Sequence, residues 1–234
     1  MAVNIDTVYQ RVLALANKEQ RGYITPQDFN LFANQAQMEI FEQYFYNINI
    51  ARKGQGNDTV YADVDDMLEE KLQIFESVDN FTVINSYYPN LPNYMYRVHE
   101  IETKSRNKAE ILNTKDFNAC RNGGPLLEPS STRPIANIRD NVMIVVGDNN
   151  ATIDPFFIYY FRVPAKVNWT YVVINKQAMY DANPSTQDFE LHPSEKNQLI
   201  NKILKLAGIS NQQPDIMKAG QGMDAATIQL QPKI

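Results

Sequence analysis

The chain has 234 residues, enough for one sizeable domain or two small ones with a real core. Its formal net charge of -5, with 21% charged residues and a pI near 5.1, provides no broad cationic field to hold a nucleic-acid backbone, which disfavours general DNA or RNA binding. A single cysteine, Cys120, excludes an intrachain disulfide, and no run of about 18 apolar residues offers a membrane span.

The start MAVNIDTVYQ lacks the basic-then-apolar layout of a secretory signal, so a reducing cytoplasm is the expected folding compartment. The sequons at Asn57, Asn80, Asn150 and Asn168 are then chance occurrences in an Asn-rich chain.

Residues 6–17 (DTVYQRVLALAN) alternate apolar and polar positions at helical spacing, with Asp6 placed to cap the first turn. After Gly22, Thr25 suits an N-cap, Pro26 the first helical position and Asp28 the third position of a capping-box-like start. Phe29, Phe32, Ala33, Ala36, Ile40, Phe41 and Tyr44 then recur every three to four residues, which predicts a second, longer helix of roughly five turns. ARKGQGNDT, at 51–59, has two glycines and no periodicity and reads as a mobile loop. A third helix is expected near 63–76, from the stripe Val64, Leu68, Leu72 and Phe75.

From about residue 80 the composition changes. FTVINSYY, NYMYRVHEIETKS, TRPIANI, NVMIVVG, FFIYYFRVP and WTYVVI are β-branched and aromatic runs separated by Pro, Gly and Asn, predicting a small antiparallel sheet over 80–175. GDNN at 147–150 reads as a hairpin turn between two apolar runs, and NTKDFNACRN at 113–122 as one short helix between strands.

FELHPSEKNQLINKILKLAGI, at 189–209, returns the chain to helix at about 193–207. Pro193 fits the first turn, Glu195 complements the positive helix end, and Gly208 is placed to stop the helix, with Ile209 packing back on Leu204. Leu199, Ile200, Ile203, Leu204 and Leu206 make a face too broad to leave exposed. Residues 209–234 carry glycines, glutamines and two prolines, with too few clustered apolar residues to build a core of their own. This tail is either disordered or ordered by another chain.

Specific chemical motifs are absent: the sequence has no Walker-type loop, dinucleotide fingerprint, nucleophile elbow or paired-cysteine metal motif. His99, in YRVHEIETK, falls by alternation on the face of Ile101 opposite Val98 and reads as a sheet residue with a local partner. His192, flanked by Glu190 and Glu195, reads as a residue beside a helix start. Asp63, Asp65 and Asp66 lack the glycine and distal glutamate of a calcium loop and suit the start of a helix instead. Arg162, Lys166 and Trp169 could stack on RNA, but in an acidic chain Trp169 reads as a packing or interface residue. Cys120 has no local His partner and is expected to be buried or half-buried. No catalytic residue, metal or cofactor is assigned.

Three stretches carry a resemblance. NIDTVYQRVLALANKEQRGYITPQDFNLFANQAQMEIFEQYF, YYFRVPAKVNW and FELHPSEKNQLINKILKLAGI each resemble segments of virion structural proteins in crAss-like and related short-tailed bacteriophages. The resemblance spans most of the chain and is weakest over residues 100–150. The order of elements is similar to that of head-to-tail adaptors: a helical bundle, a β-rich excursion, a return helix and an extended tail. It implies a non-enzymatic ring protein of the neck or tail, twelve-fold beneath the portal, whose tail docks on the portal or an adjacent subunit. Its implied partners are itself, the portal, other neck or tail proteins and DNA in passage, with assembly in the host bacterial cytoplasm and no membrane.

The expected fold is therefore α+β: N-terminal helices over 1–79, a β-rich region over 80–175, a return segment and C-terminal helix over 176–208 packing on the N-terminal helices, and a docking tail over 209–234. Rings need two different complementary surfaces, and the candidate interface residues are Phe41, Tyr44, Phe45, Tyr87, Tyr88, Trp169, Ile209, Pro214, Ile216, Met217, Ile228 and Leu230. An acidic balance would also keep a DNA-conducting lumen from gripping its cargo. Competing expectations are another tail ring or tube-end protein, a host-surface-binding domain contacting glycan through the aromatics of 87–96, and a phage hydrolase acting through Glu190, Glu195 or His192.

Overall fold

The computed structural model describes residues 3–18, 24–53, 59–82, 90–124, 127–153 and 155–210. In chain order the elements are α1 (Ile5–Lys18), α2 (Pro26–Lys53), α3 (Thr59–Gln73), β1 (Glu76–Phe81), β2 (Met95–Thr103), β3 (Glu110–Ile111), α4 (Thr114–Asn122), β4 (Ile135–Arg139), β5 (Val142–Val146), β6 (Phe156–Arg162), β7 (Tyr171–Ile174), β8 (Gln177–Tyr180) and α5 (Lys196–Ser210), with short 3₁₀ turns at Asp148–Asn150 and Pro193–Glu195. The mixed α+β class expected from the sequence is the class observed. The chain divides into two compact units: a helical unit from residues 1–74 and 164–234, and a sheet unit from 75–163.

In the helical unit, α5 packs on α1 and α2, and α3 packs on α2. Each helix contributes the stripe its periodicity predicts: Ile5, Val8, Tyr9 and Val12 from α1; Phe29, Ala33, Ala36, Ile40 and Phe41 from α2; Leu68 and Leu72 from α3; Leu199, Ile200, Ile203 and Leu204 from α5. Thr25 caps α2 as expected: its hydroxyl accepts the Asp28 amide at 3.2 Å and donates to the Asp28 carboxylate at 2.6 Å. On α1 the cap is Asn4, whose Oδ1 accepts the Thr7 amide at 2.9 Å, and not Asp6. Asp6 already lies inside the first turn, which frees its carboxylate for a tertiary bond.

Several boundaries move. The helix of α2 runs through Lys53, absorbing the start of the expected loop at 51–59, while residues 54–58 lie outside the described part. The third helix starts at Thr59 and ends at Gln73, so Phe75 belongs to the sheet unit; the Val64, Asp63 and Asp65 side chains lie outside the description, and Asp66 is exposed. Gly208 does not stop α5, which continues to Ser210; in a helix held by a buried face, one glycine costs only about 1 kcal/mol. The Ile209 side chain and all of 211–234 are outside the described residues.

The sheet unit is not one antiparallel sheet. It has a three-stranded sheet ordered β1-β6-β2, all antiparallel, and a second ordered β3-β4-β5, in which β3 and β4 run parallel. Ile101, Phe156, Ile158 and Tyr160 from the first sheet share a core with Ala136, Met143 and Val145 from the second. The helix α4, capped by Asn113 and expected at this place, covers the other side of the second sheet through Phe117, against Ile135 and Val146. Half-buried Cys120 packs there too.

Two local expectations are corrected here. The turn at 147–150 exists, returning the Ile153 amide to the Val145 carbonyl at 3.0 Å, but the apolar run after it does not pair with β5; β6 pairs with β1 and β2. A register shift between Val98 and Glu100 breaks the alternation of β2. Val98 and Ile101 therefore face one core together, opposite Tyr160 and Ile158, while His99 lies against the Phe161 ring at 5.8 Å.

Candidate assembly surface

The return of the chain into the helical unit begins at Pro164, well before the expected 176. Residues 165–169 are extended, yet their neighbour is a helix, so their peptide groups need partners that a helix backbone cannot supply. On the α2 side the amides of Asn30, Asn34 and Gln37 supply them, while Asn168 pairs with the Gln187 backbone. Asn30 Oδ1 accepts the Trp169 N–H at 2.8 Å and its Nδ2 donates to the Trp169 carbonyl at 3.2 Å. Asn34 does the same for Val167, at 2.9 and 3.0 Å. Gln37 donates to the Ala165 carbonyl at 2.8 Å and accepts the Glu190 N–H at 3.1 Å, and the Glu190 carboxylate takes the Ala165 N–H at 2.7 Å.

The spacing explains the match. Four helical residues advance about 6 Å and two extended residues about 6.6 Å, so Asn30 and Asn34 fall opposite Trp169 and Val167. The next step on α2 is three residues, about 4.5 Å, and the longer Gln37 side chain makes up the difference. A side-chain amide has the donor and acceptor of a peptide group, so this row acts as a substitute strand.

The segment sets Trp169 in place. It is 1% exposed, donates from Nε1 to Asp6 Oδ1 at 3.0 Å, and meets the Tyr9 ring at 4.1 Å between centroids. Tyr171 and Tyr180, opposite each other at the open end of the β7–β8 hairpin, stack on Trp169 at 5.7 and 6.0 Å. Thr170 ties the same end through the Asp181 carbonyl at 2.5 Å and through the Thr186 hydroxyl. The hairpin thus stands on a fixed base.

Its far end is different. Asn175 and Lys176 make the turn with φ of 51° and 66°, the left-handed pair of a two-residue hairpin loop. Val172, Val173, Ile174 and Met179 are 42, 67, 49 and 51% exposed. Side chains alternate across a strand, so these residues put apolar surface on both faces, and among the described residues no strand pairs with either edge of the two-stranded sheet. Sequence reading placed Val172, Val173 and Ile174 in the run WTYVVI but ended the β-rich region at 175, and so missed the return strand with Met179 and the exposed surface the two strands make. The signal was present in YVVI-NK-QAMY, two strand-like runs around a two-residue turn.

At the other end of α2, Lys71 on α3 pairs with Glu195 at 2.5 Å, with side-chain exposures of 19% and 7%. The Lys71 ammonium lies 5.9 Å from the centroid of the Tyr44 ring. The Tyr44 hydroxyl is buried without a hydrogen-bond partner among the described residues, and burial first, then the Glu195 charge, push its pKa upward. Beside it, His192 Nδ1 accepts the Ser194 amide at 3.3 Å and lies 2.8 Å from the Ser194 hydroxyl, so this histidine caps the 3₁₀ turn that leads into α5.

The candidate interface residues divide accordingly. Phe41, Tyr44 and Trp169 are core residues of the helical unit, sealed by α2's neighbours and by the Tyr9–Trp169–Tyr171 stack, and present no contact surface. Phe45 is half-buried with its ring 5.1 Å from Phe41. Tyr87, Tyr88, Pro214, Ile216, Met217, Ile228 and Leu230 lie outside the described residues, as does the side chain of Ile209. Among the described residues no three His, Cys, Asp or Glu side chains gather as a metal site, and no helix is long and apolar enough to cross a membrane. No protein-family model matches the chain, and no curated protein matches it.

Proposed function

We propose that the chain is a structural subunit of a short-tailed phage virion, assembling into a ring, twelve-fold by resemblance, that joins the portal to the tail and lets DNA pass. The observation that carries this reading is the β7–β8 hairpin, a firmly based element whose outer half exposes Val172, Val173, Ile174 and Met179. Apolar surface of that kind on a soluble chain marks a protein contact. The three stretches that resemble phage virion proteins add support, because α1, α2, the extended segment after Pro164 and α5 all contribute to the helical unit that bears the hairpin.

The mechanism is assembly without chemistry: packed helices hold a scaffold, and distinct surfaces of it engage neighbouring copies and the portal. Electron microscopy of the purified chain, alone and mixed with portal, tests it. Rings in either sample support the reading, and a chain that stays monomeric in both overturns it. Deleting residues 211–234, beyond the end of α5, is expected to preserve the thermal transition and abolish docking on the portal; loss of the transition would make that segment part of the subunit's own core.

A second reading has one observation in its favour. Tyr94 and Tyr96, in the segment expected to contact glycan, are 51 and 43% exposed on the sheet unit. Binding of host polysaccharide by the full chain, lost in Tyr94→Ala, would favour a host-surface-binding virion protein over the ring.

A further inference from the structure

The hairpin between Thr170 and Tyr180 lies in a carboxylate-free stretch, residues 155–180. The hairpin's one charged side chain is Lys176, at the tip of the turn. The whole chain carries 27 acidic against 22 basic residues. An apolar finger ending in a cation fits a surface that is apolar and acidic, and a second copy of this chain is a source of such a surface.

Such a surface lies on α3, in the described part of the helical unit. Met67 is 57% exposed there, with Asp66 beside it and Glu70 one turn on, both also exposed. Its position is as informative as its charge. The hairpin base is held near the start of α2, at Asn30, while α3 packs against the later part of α2, with Lys71 over the Tyr44 ring. Those two points are 14 residues apart, about 21 Å along the helix axis. The hairpin base and the acidic face therefore lie at different positions along α2 and are two different patches of the same subunit, which is what a head-to-tail contact joins.

We infer that the β7–β8 hairpin docks on the acidic outer face of α3 of a neighbouring copy, with Val173 against Met67 and Lys176 between Asp66 and Glu70. The contact rests on the ring reading above and specifies its interface. It also accounts for an otherwise hazardous feature. A two-stranded hairpin with apolar faces and open edges invites misassembly unless a partner covers it.

Charge reversal in the full-length chain tests the contact. Lys176→Glu and Glu70→Lys are each expected to raise the concentration for half-assembly by about tenfold or more, because each sets like charges face to face. Both sites are exposed, so each variant should keep the wild-type thermal transition. Mixing the two variants should restore assembly, because in a head-to-tail chain that alternates them every contact again joins opposite charges. Val173→Asp is expected to abolish assembly without unfolding the subunit. If Lys176→Glu and Val173→Asp assemble at the wild-type concentration, the hairpin is not the contact. If they fail and the mixture stays unassembled, α3 is not its acceptor. A wild-type chain that never forms rings, even with portal, removes the ring reading itself, a result separable from either of these.

Discussion

Asn34 pairs with Val167 as one β-strand residue pairs with another: its Oδ1 takes the Val167 N–H at 2.9 Å and its Nδ2 reaches the Val167 carbonyl at 3.0 Å. Val167 is buried, so both of its peptide groups depend on that one side chain for satisfaction.

Asn34→Leu removes both bonds and leaves a buried donor and acceptor unpaired, for an expected loss of about 2–4 kcal/mol in urea unfolding. Asn34→Asp keeps the acceptor but turns a carboxylate toward the Val167 carbonyl, so it should also destabilise. A variant of either kind with wild-type stability would show that the amide row contributes little.

Trp169 is the chain's one tryptophan and is 1% exposed. Its emission should be blue-shifted and resistant to iodide quenching in the native protein, moving red on unfolding. Trp169→Phe loses the bond to Asp6 and part of the stack with Tyr171 and Tyr180, and should lower stability by about 1–3 kcal/mol while loosening the hairpin. Faster amide exchange at residues 171–180 in this variant is the specific readout.

Lys71 and Glu195 form an ion pair with little solvent around it. Lys71→Met strands the carboxylate and should cost about 3–5 kcal/mol, whereas the double change Lys71→Met with Glu195→Leu should recover most of that loss. Equal losses in the single and double variants would mean that the pair's packing, and not its charge balance, sets its contribution.

Tyr44 and Tyr160 both have pKa values raised above the ordinary tyrosine range, Tyr44 by burial and then the Glu195 charge, Tyr160 by burial and then its hydrogen bond to Asp79 at 2.8 Å. In the native state each holds its proton at a pH where the unfolded chain has lost it. Their effect on stability is thus constant below about pH 10, and stability falls as the pH rises beyond it. Tyr44→Phe should flatten that alkaline loss. It should be neutral or slightly stabilising at pH 7, because the hydroxyl it removes is buried with no partner among the described residues. Destabilisation at pH 7 would count against that burial.

How far the sequence could be read depended on the range of the interactions. The α2 start at Thr25-Pro26, the α4 segment and the Pro193 entry to α5 were legible because caps and 3.6-residue stripes are local. Strand pairing was not. The runs NVMIVVG and FFIYYFRVP follow one another across a turn, yet they join different sheets, since cross-strand packing chose the partners. The shift at His99 was hidden for the same reason: alternation along one strand carries no record of an extra residue relative to its neighbour. Part of the candidate surface was within reach, because Asn30, Asn34 and Gln37 recur at helical spacing among the apolar positions of α2.

By itself the sequence determined the α+β class, the presence of the helices with the capped start of α2, and the acidic balance, because each follows from residues close together in the chain or from their sum. Only the tertiary structure decided that Trp169 is core and not contact, and that the exposed apolar surface is Val172, Val173, Ile174 and Met179. Aromatic and β-branched residues look alike in sequence whether buried or bare. The difference comes from a row of amides on α2, more than a hundred residues away, that pulls one end of the segment into the core and leaves the hairpin tip outside.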